Sequence, residues 1–244
     1  MRLTRIHTPQ ALTLNSTIEL EQQASHHLGK VLRAQAGDEV LLFNGQGGEF
    51  LGRISSIAKQ SVAVELHTFV DSDNESPLSI HLGICISKGD RMDLVMQKAT
   101  ELGVSQITPL LGERSQIKRN KAVLAKKLRH WQQVVVSACE QSGRNHIPTV
   151  NHVENSIDWF KACDSQAKLI LDPFCDSNTK AIQQVDSVAL AIGPEGGFSK
   201  PEVSCAKACN FDGLNLGPRI LRTETAPIAA ITLCQIKWGD IPSL

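Results

Sequence analysis

One loop with chemical potential follows an apolar run and carries three glycines. Residues 189–192 are apolar and lead into residues 193–197, Gly-Pro-Glu-Gly-Gly, after which Ser199 and Glu202 form a capping box that opens a helix. Glycines at a strand end let the backbone approach a ligand closely, and ligands of α/β sheets bind at the carboxyl ends of strands. The loop has neither the P-loop nor the dinucleotide-binding pattern. A tight turn and a ligand loop both remain open on these residues alone.

A second loop concentrates charge just before an apolar helix. Residues 216–225 read Leu-Gly-Pro-Arg-Ile-Leu-Arg-Thr-Glu-Thr. Thr223 or Thr225 can cap the helix that follows. Capping leaves the two arginines unexplained, because charges in an apolar neighbourhood are costly unless they are paired or used on a ligand. An ion pair of Glu224 with an arginine and a ligand site are therefore both open.

Strand–helix alternation from residue 78 onward predicts an α/β domain that positions both loops. The predicted strands are residues 78–86, 104–111, 168–171, 188–192 and 214–216. Helical spacing predicts a helix over 92–102, with Asp90 as N-cap and Gly103 at its end, and a helix from Ser199 to about residue 209. A long helix carries the apolar stripe Ile117, Leu124, Leu128, Trp131, Val135 and Ala138. Residues 226–238 are apolar on most faces, which predicts a helix buried in the core or in a subunit interface.

The first 70 residues predict a small β-barrel. Residues 39–43 and 49–54 flank a glycine-rich hairpin turn, and residues 61–69 alternate, with Val62, Val64 and Leu66 on one face. Residues 71–77 are polar and end in proline, which is typical of a linker. The sequence thus divides into residues 1–72 and 73–244.

Composition narrows the class of protein. The 244 residues are 41% hydrophobic and 20% charged, which is typical of a globular chain and not of a disordered one. No apolar run approaches the roughly 20 residues of a membrane helix, and we expect no signal peptide. The seven cysteines are scattered, so we expect buried thiols in a reducing cytoplasm and neither a metal site nor disulfides.

Charge is balanced overall but is unevenly distributed. Lys+Arg and Asp+Glu each number 25, a net charge of zero that argues at first sight against nucleic acid. Residues 88–144, however, hold 11 basic and 5 acidic groups, a net of +6. Seven basic residues and no acid lie between Arg114 and His130. Such a run is either one solvated helix face or a surface for phosphate.

The two loops together resemble the SPOUT methyltransferases, and most closely the RsmE family of 16S ribosomal RNA uridine-N3 methyltransferases. The resemblance extends to further blocks in the same order along the chain. These are residues 2–6, 26–33 with 37–38, Lys88 with 97–104, 113–115, 138–144 and, most weakly, 171–173.

The resemblance implies a PUA-like, RNA-binding β-barrel over residues 1–72. Residues 73–244 would then form an α/β SPOUT methyltransferase domain with a C-terminal trefoil knot. It also implies a cytoplasmic homodimer whose active site lies at the subunit interface, and S-adenosylmethionine as methyl donor. The cofactor-binding residues would be Leu171, Ile192, Gly193, Pro194, Glu195, Gly196, Gly197, Leu216, Gly217, Leu221 and Thr223.

Methylation of uridine N3 would require withdrawal of its imide proton. We expect Arg222, with Arg5 from the barrel, to stabilise the developing anion on the uracil carbonyls. Glu224 is the candidate general base, with a structural ion pair as the alternative, and His26 and His27 are further candidates.

Basic residues would bind the RNA, either free 16S rRNA or the assembled small subunit. The candidates are Arg33, Lys88, Arg114, Lys118, Arg119, Lys121 and Arg144. Their contacts with phosphate would supply affinity but little sequence information, so a uridine flipped into the pocket would supply specificity. The alternatives are a SPOUT enzyme acting elsewhere, such as at a ribose 2′-O, and a non-catalytic RNA-binding or assembly factor.

Overall fold

The computed structural model describes residues 3–87, 89–115, 120–172, 175 and 184–243. The chain divides into two compact units. The first comprises Met1–Glu75 and Cys139–Ile147, and the second comprises Ser76–Ala138 and Pro148–Leu244. No sequence pattern indicated that residues 139–147 belong with the first unit.

A five-stranded sheet forms the first unit. Its strands are β1 (Thr4–His7), β2 (Thr17–Glu19), β3 (Glu39–Phe43), β4 (Glu49–Ile57) and β5 (Val62–Val70), in the order β1-β3-β4-β5-β2. Helix α1 (Gln22–His26) and a short π-helix (His27–Val31) contribute Ala24 and Leu28 to the same core. The predicted alternation is confirmed, because Val62, Val64 and Leu66 are all buried.

The second segment of the first unit is held by buried polar contacts. Arg144 pairs with Glu75 through Nε (2.9 Å) and Nη2. The Asn145 amide donates to the Ser72 carbonyl at 2.8 Å. Asn145 also accepts from Arg5 at 2.7 Å, and Arg5 pairs with Glu49. Residues 71–77, expected to be a linker, therefore supply partners for this segment.

A seven-stranded parallel sheet forms the centre of the second unit. Its strands are β6 (Ser79–Cys85), β7 (Gln106–Leu111), β8 (Thr149–Val150), β9 (Glu154–Asn155), β10 (Ala167–Leu171), β11 (Ser187–Ile192) and β12 (Asp212–Leu214). The order is β12-β10-β11-β6-β7-β8, with β9 also paired to β7. Because neighbouring strands are parallel, the loops after β10, β11 and β12 leave the same edge of the sheet.

Five helices accompany these strands among the described residues. They are α2 (Arg91–Glu101), α3 (Lys121–Ser142), α4 (Ser156–Ala162), α5 (Lys200–Ala208) and α6 (Thr225–Trp238). The capping box of α5 is confirmed, since Ser199 and Glu202 bond each other's backbone N–H. Gly103 follows the last residues of α2 with φ +85°, as expected for a helix end. Of the predicted α3 stripe, Leu124, Trp131, Val135 and Ala138 are buried, whereas Ile117 lies outside the described residues.

Two local predictions are wrong. The last strand is Asp212–Leu214 and not 214–216, because the Asn215 side chain accepts the Gly217 N–H at 2.8 Å and turns the chain out of the sheet. Asp90 occupies the N-cap position of α2, as predicted, although its side chain makes no capping hydrogen bond. The N-cap residue of α6 is Glu224, so neither Thr223 nor Thr225 caps that helix.

Candidate functional site

A cavity of about 370 Å³ lies at the carboxyl edge of β10, β11 and β12. Both loops singled out in the sequence line it. Of the residues expected to bind cofactor, Gly196 is not part of the lining, and the others are: Leu171, Ile192, Gly193, Pro194, Glu195, Gly197, Leu216, Gly217, Leu221 and Thr223. Leu214, Ala226, Ile220 and three arginines, Arg91, Arg219 and Arg222, complete the wall.

The first wall of the cavity is the glycine loop at residues 193–197. It forms a tight turn in which the Gly197 N–H donates to the Pro194 carbonyl at 2.8 Å. Gly197 has φ +67°, a conformation that favours glycine. A Cβ on Gly193 would lie 3.1 Å from the Phe198 backbone nitrogen, so a larger residue would require the backbone of this turn to shift. At Gly193 and Gly197 only backbone groups can line the cavity.

Arg114 supports the glycine loop from outside. Its Nη1 donates to the Gly196 carbonyl at 2.6 Å. Because Arg114 is exposed, the expected role in phosphate binding is compatible with this contact. The hydrogen bond to Gly196 is an additional, structural role, which the run of basic residues in the sequence did not indicate.

Glu202 connects the segments behind the glycine loop. Its carboxylate is 2% exposed and accepts from the Ser156 hydroxyl (2.6 Å), the Glu113 N–H (3.0 Å) and the Ser199 N–H (2.7 Å). Burial by itself would raise the pKa of Glu202, but these hydrogen bonds outweigh it and lower the pKa below 4.5. Glu202 therefore fixes the loop that carries Arg114 against the start of α5.

The second wall is the charged loop before α6. Gly217 has φ +92°, and the Arg222 carbonyl accepts the N–H groups of Thr225 and Ala226 at 3.0 and 2.9 Å. The Arg222 side chain is 81% exposed. Its backbone thus starts the helix, whereas its guanidinium is available to a ligand.

Glu224 lies between two arginines. Its side chain is 16% exposed, with Oε2 3.8 Å from Arg91 Nε and Oε1 4.0 Å from Arg222 Nη1. Thr223 Oγ1 donates to the same carboxylate at 3.3 Å. The ion pair left open by the sequence is therefore present, and its closer arginine is Arg91.

Arg91 is the site residue that the sequence reasoning missed. It is the first residue of α2, and its Nη1 also contacts Glu195 Oε1 at 2.7 Å. It thus links the glycine loop to the start of α6. Its position two residues after Gly89, just beyond the carboxyl end of β6, was the signal that could have found it.

Arg5 lies in the first unit and is engaged there. Its guanidinium pairs with Glu49, donates to the Arg144 carbonyl at 3.0 Å, and lies 4.8 Å from the centroid of the Phe43 ring. The Arg5 side chain is 7% exposed. These contacts stabilise the unit, and the catalytic role expected for Arg5 stays a prediction.

The residues expected to bind RNA differ in exposure. Arg33 and Lys121 are exposed, as the prediction requires. The Arg144 side chain is 5% exposed and paired with Glu75, which is the setting of a structural arginine and not of one that meets phosphate. Lys88, Lys118 and Arg119 lie outside the described residues.

The two candidate histidines and the seven cysteines are also placed by the structure. His26 is exposed and His27 is half-buried, both in the first unit. All seven cysteines are free thiols, and burial raises the pKa of Cys85 and Cys234 to about 12. Within the described residues, no cluster of three potential metal ligands occurs, and no helix is long and apolar enough to cross a membrane.

The similarity to known proteins extends over both units. An RNA methyltransferase domain model matches residues 74–235, and an RNA methyltransferase PUA domain model matches residues 20–66. The ribosomal RNA small subunit methyltransferase E of Buchnera aphidicola subsp. Schizaphis graminum is 38% identical, over 98% of this chain and 98% of its own length.

Two solved structures share the architecture. A Legionella pneumophila protein in complex with the bound cofactor SAM has a TM-score of 0.96 and 42% identity, covering 99% of this chain and 100% of that chain. A ribosomal RNA small subunit methyltransferase E from Neisseria gonorrhoeae bound to S-adenosyl methionine has a TM-score of 0.91 and 37% identity, covering 98% and 100%. Both structures therefore correspond to this chain over nearly its whole length.

Proposed function

The chain belongs to the ribosomal RNA small subunit methyltransferase E family, and we propose that it transfers a methyl group from S-adenosylmethionine to N3 of a uridine in 16S ribosomal RNA. The observation that carries the proposal is the convergence of the glycine loop and the charged loop on one cavity at the carboxyl edge of β10, β11 and β12.

The residues of the cavity fit S-adenosylmethionine. A volume of about 370 Å³ lies within the range of small-molecule pockets. Ile192, Leu216 and Leu221 provide apolar surface for an adenine ring. The backbone of the glycine loop provides N–H and C=O groups at close approach, because no side chain stands in front of them at Gly193 and Gly197. When bound, the cofactor supplies a methyl group on a positively charged sulfur.

The polar residues of the second wall act on the acceptor. Uridine N3 is an imide nitrogen that becomes a nucleophile as its proton is withdrawn. Glu224 accepts that proton, and Arg222 stabilises the charge that develops on the uracil carbonyls. The two groups lie 4.0 Å apart, close enough for both to reach one base.

The wider assembly is part of the same proposal. The exposed Arg33, Lys121 and Arg114 contact phosphate of 16S rRNA in the small subunit, and the chain acts as a cytoplasmic homodimer. Exposed Leu233 and Ile236 on α6, at 42% and 41%, supply apolar surface for a second copy. The trefoil knot also stays a prediction, because part of the C-terminal chain lies outside the described residues.

Product analysis tests the proposed reaction. Purified protein is incubated with unmodified small ribosomal subunits and methyl-labelled S-adenosylmethionine, and the 16S rRNA is digested to nucleosides. We expect the label in N3-methyluridine at one position. Label in a ribose 2′-O-methyl nucleoside would assign the other reaction. If no nucleoside is labelled and S-adenosylhomocysteine does not raise the melting temperature, the result would favour a non-catalytic RNA-binding factor.

Arg222→Ala tests the second wall directly. We expect methylation to fall by more than about 10-fold, since a donor aimed at developing charge is lost, while the melting temperature stays unchanged because the side chain is 81% exposed. Lys98→Ala is the control, because Lys98 pairs with Glu101 on α2 and does not line the cavity. A smaller loss in the folded variant would contradict the role of Arg222.

A further inference from the structure

A second hollow, here called the acceptor groove, adjoins the cofactor cavity. Its volume is about 650 Å³, and it is lined by Gly89, Asp90, Arg91, Leu94, Glu195 and Glu224. Arg91 and Glu195 also line the cofactor cavity. The two hollows therefore share Arg91 and Glu195 as wall residues.

The two wall residues that the groove shares with the cofactor cavity limit what the groove can hold. A methyl acceptor must come within about 3–3.5 Å of the methyl carbon in a reactive complex, so it has to enter beside the cofactor. We infer that the acceptor groove holds the target uracil and that Arg91 is a catalytic residue that hydrogen-bonds one of its carbonyls. This inference rests on the proposed function and names the subsite of its acceptor.

The charges of the groove favour a neutral base over a phosphate. Asp90, Glu195 and Glu224 bring three carboxylates to the groove, against the guanidinium of Arg91 in its lining and that of Arg222, which lines the cofactor cavity and lies 4.0 Å from Glu224. A phosphate placed there would meet net negative charge. Leu94 is 39% exposed and offers an apolar surface to the face of a base. The groove is therefore suited to a neutral ring with a polar edge.

The order of polar groups around Glu224 matches the edge of uracil. Arg91 and Arg222 flank the Glu224 carboxylate at 3.8 and 4.0 Å, which gives the sequence donor, acceptor, donor. The edge of uracil presents carbonyl, N3–H and carbonyl, which is the complementary sequence. The contacts of Arg91 with the two glutamates involve Nη1 and Nε, so Nη2 can donate to a uracil oxygen.

The arrangement accounts for every atom of the transfer. The N3 proton passes to the Glu224 carboxylate. The N3 electron pair forms the bond to the methyl carbon, and the electron pair of the broken carbon–sulfur bond stays on sulfur, which becomes neutral. Arg91 and Arg222 hold the charge that builds on the two carbonyl oxygens before the bond forms.

The same order of groups discriminates against cytosine. Cytosine presents an amino donor and an unprotonated N3, which would place donor against donor at one arginine and acceptor against acceptor at Glu224. Donors placed against donors and acceptors placed against acceptors leave both groups without a hydrogen bond, which is costly. We therefore expect cytidine at the mapped target position to be neither methylated nor bound in the groove.

The test compares Arg91→Ala and Arg91→Lys with Lys98→Ala on the same helix. Small subunits and S-adenosylmethionine are the substrates, and S-adenosylhomocysteine affinity is measured separately by calorimetry. We expect kcat of Arg91→Ala to fall about 100-fold, with partial recovery in Arg91→Lys. The affinity for S-adenosylhomocysteine should change less than about threefold, and added guanidinium ion should restore about 10-fold of the lost rate to the alanine variant only.

Leu94→Glu gives a second measurement that needs no change at the reacting atoms. Because Leu94 is partly exposed, the variant should fold. A further negative charge on the groove wall should raise KM for the small subunit and leave S-adenosylhomocysteine affinity unchanged.

The outcomes separate the inference from the proposed function. An Arg91→Ala variant as active as Lys98→Ala overturns the assignment of the groove, and so does a loss of S-adenosylhomocysteine affinity that equals the loss of kcat. A wild-type protein that methylates no small subunit overturns the proposed function and the inference with it.

Discussion

Two glutamates in the second unit differ in burial and in the kind of partner that holds them. Glu202 is 2% exposed and takes its hydrogen bonds from a hydroxyl and two backbone N–H groups. Glu224 is 16% exposed and lies between two arginines at 3.8 and 4.0 Å. The first carboxylate has short, fixed partners on three segments, whereas the second has long contacts that a substrate can replace.

The difference follows from the donors. Backbone N–H groups cannot turn away without breaking the loop that carries them, so Glu202 is bound to the positions of Glu113 and Ser199. Arginine side chains have several rotatable bonds and can exchange a carboxylate for a base at small cost. We therefore propose that Glu202 holds the segments around the site in place and that Glu224 takes part in its chemistry, and the following changes test that division.

Glu224→Gln should have the largest effect of these changes. It should lower the methylation activity and leave the stability unchanged. An amide cannot accept the N3 proton, so methylation should fall about 100- to 10,000-fold, while the melting temperature should stay close to that of the wild type. Glu101→Gln, which loses the surface pair with Lys98, is the control. A Glu224→Gln variant that keeps its activity but melts at a lower temperature would reverse the division.

Glu202→Ala should mainly lower the stability of the fold. The Ser156, Glu113 and Ser199 donors would lose their common acceptor in a buried place, which should lower the free energy of unfolding by about 3 kcal/mol. Urea unfolding measures this change. S-adenosylhomocysteine affinity should fall as well, because the loop with Arg114 would no longer support the Gly196 carbonyl. If the free energy of unfolding does not change, Glu202 does not hold the segments around the site in place.

Acid should remove the contribution of Glu202. Its folded-state pKa is lowered, so its carboxylate stabilises the fold above the ordinary pKa of 4.5, and this contribution disappears as the pH falls through the folded-state value. The stability difference between the wild type and Glu202→Gln should be greatest near neutral pH and should shrink below pH 4.5. A difference that is independent of pH would show that the carboxylate charge is not the cause.

Glu195→Gln should have the smallest effect on stability. The Arg91–Glu195 pair is 44% and 49% exposed, and exposed pairs contribute less than about 1 kcal/mol. The melting temperature should therefore stay unchanged in physiological salt. A marked destabilisation would show that Glu195, like Glu202, holds the segments around the site in place.

Local patterns in the sequence predicted local structure well. The capping box at Ser199 and the alternation in β5 depend on residues within a few positions of each other, and both are confirmed. The two loops were also found from local sequence. Each follows a predicted strand, and a loop that follows a parallel strand lies at the carboxyl edge of the sheet, where both loops line the cavity. The end of β12 was missed because the Asn215 side chain competes for the Gly217 N–H, which an apolar pattern does not reveal.

Long-range partners were the part that the sequence could not supply. Arg144 and Arg114 were both assigned to phosphate from their charge. In the structure, Arg144 is paired with Glu75 in the first unit, 69 positions away, and Arg114 donates to Gly196, 82 positions away. The pairing of Arg91 with Glu195 and Glu224 was missed for the same reason, because both partners are distant in the chain.

The sequence by itself determined the family, the division into strand-rich and α/β regions, and the two loops that form the cavity. Those features depend on residue type and on spacing over a few positions, and both can be read from the sequence without knowledge of the fold. The tertiary structure decided which charges are structural and which face the cavity. That choice depends on burial and on partners that only the parallel sheet brings together, because Coulomb energy and hydrogen bonding act through distances in space and not along the chain.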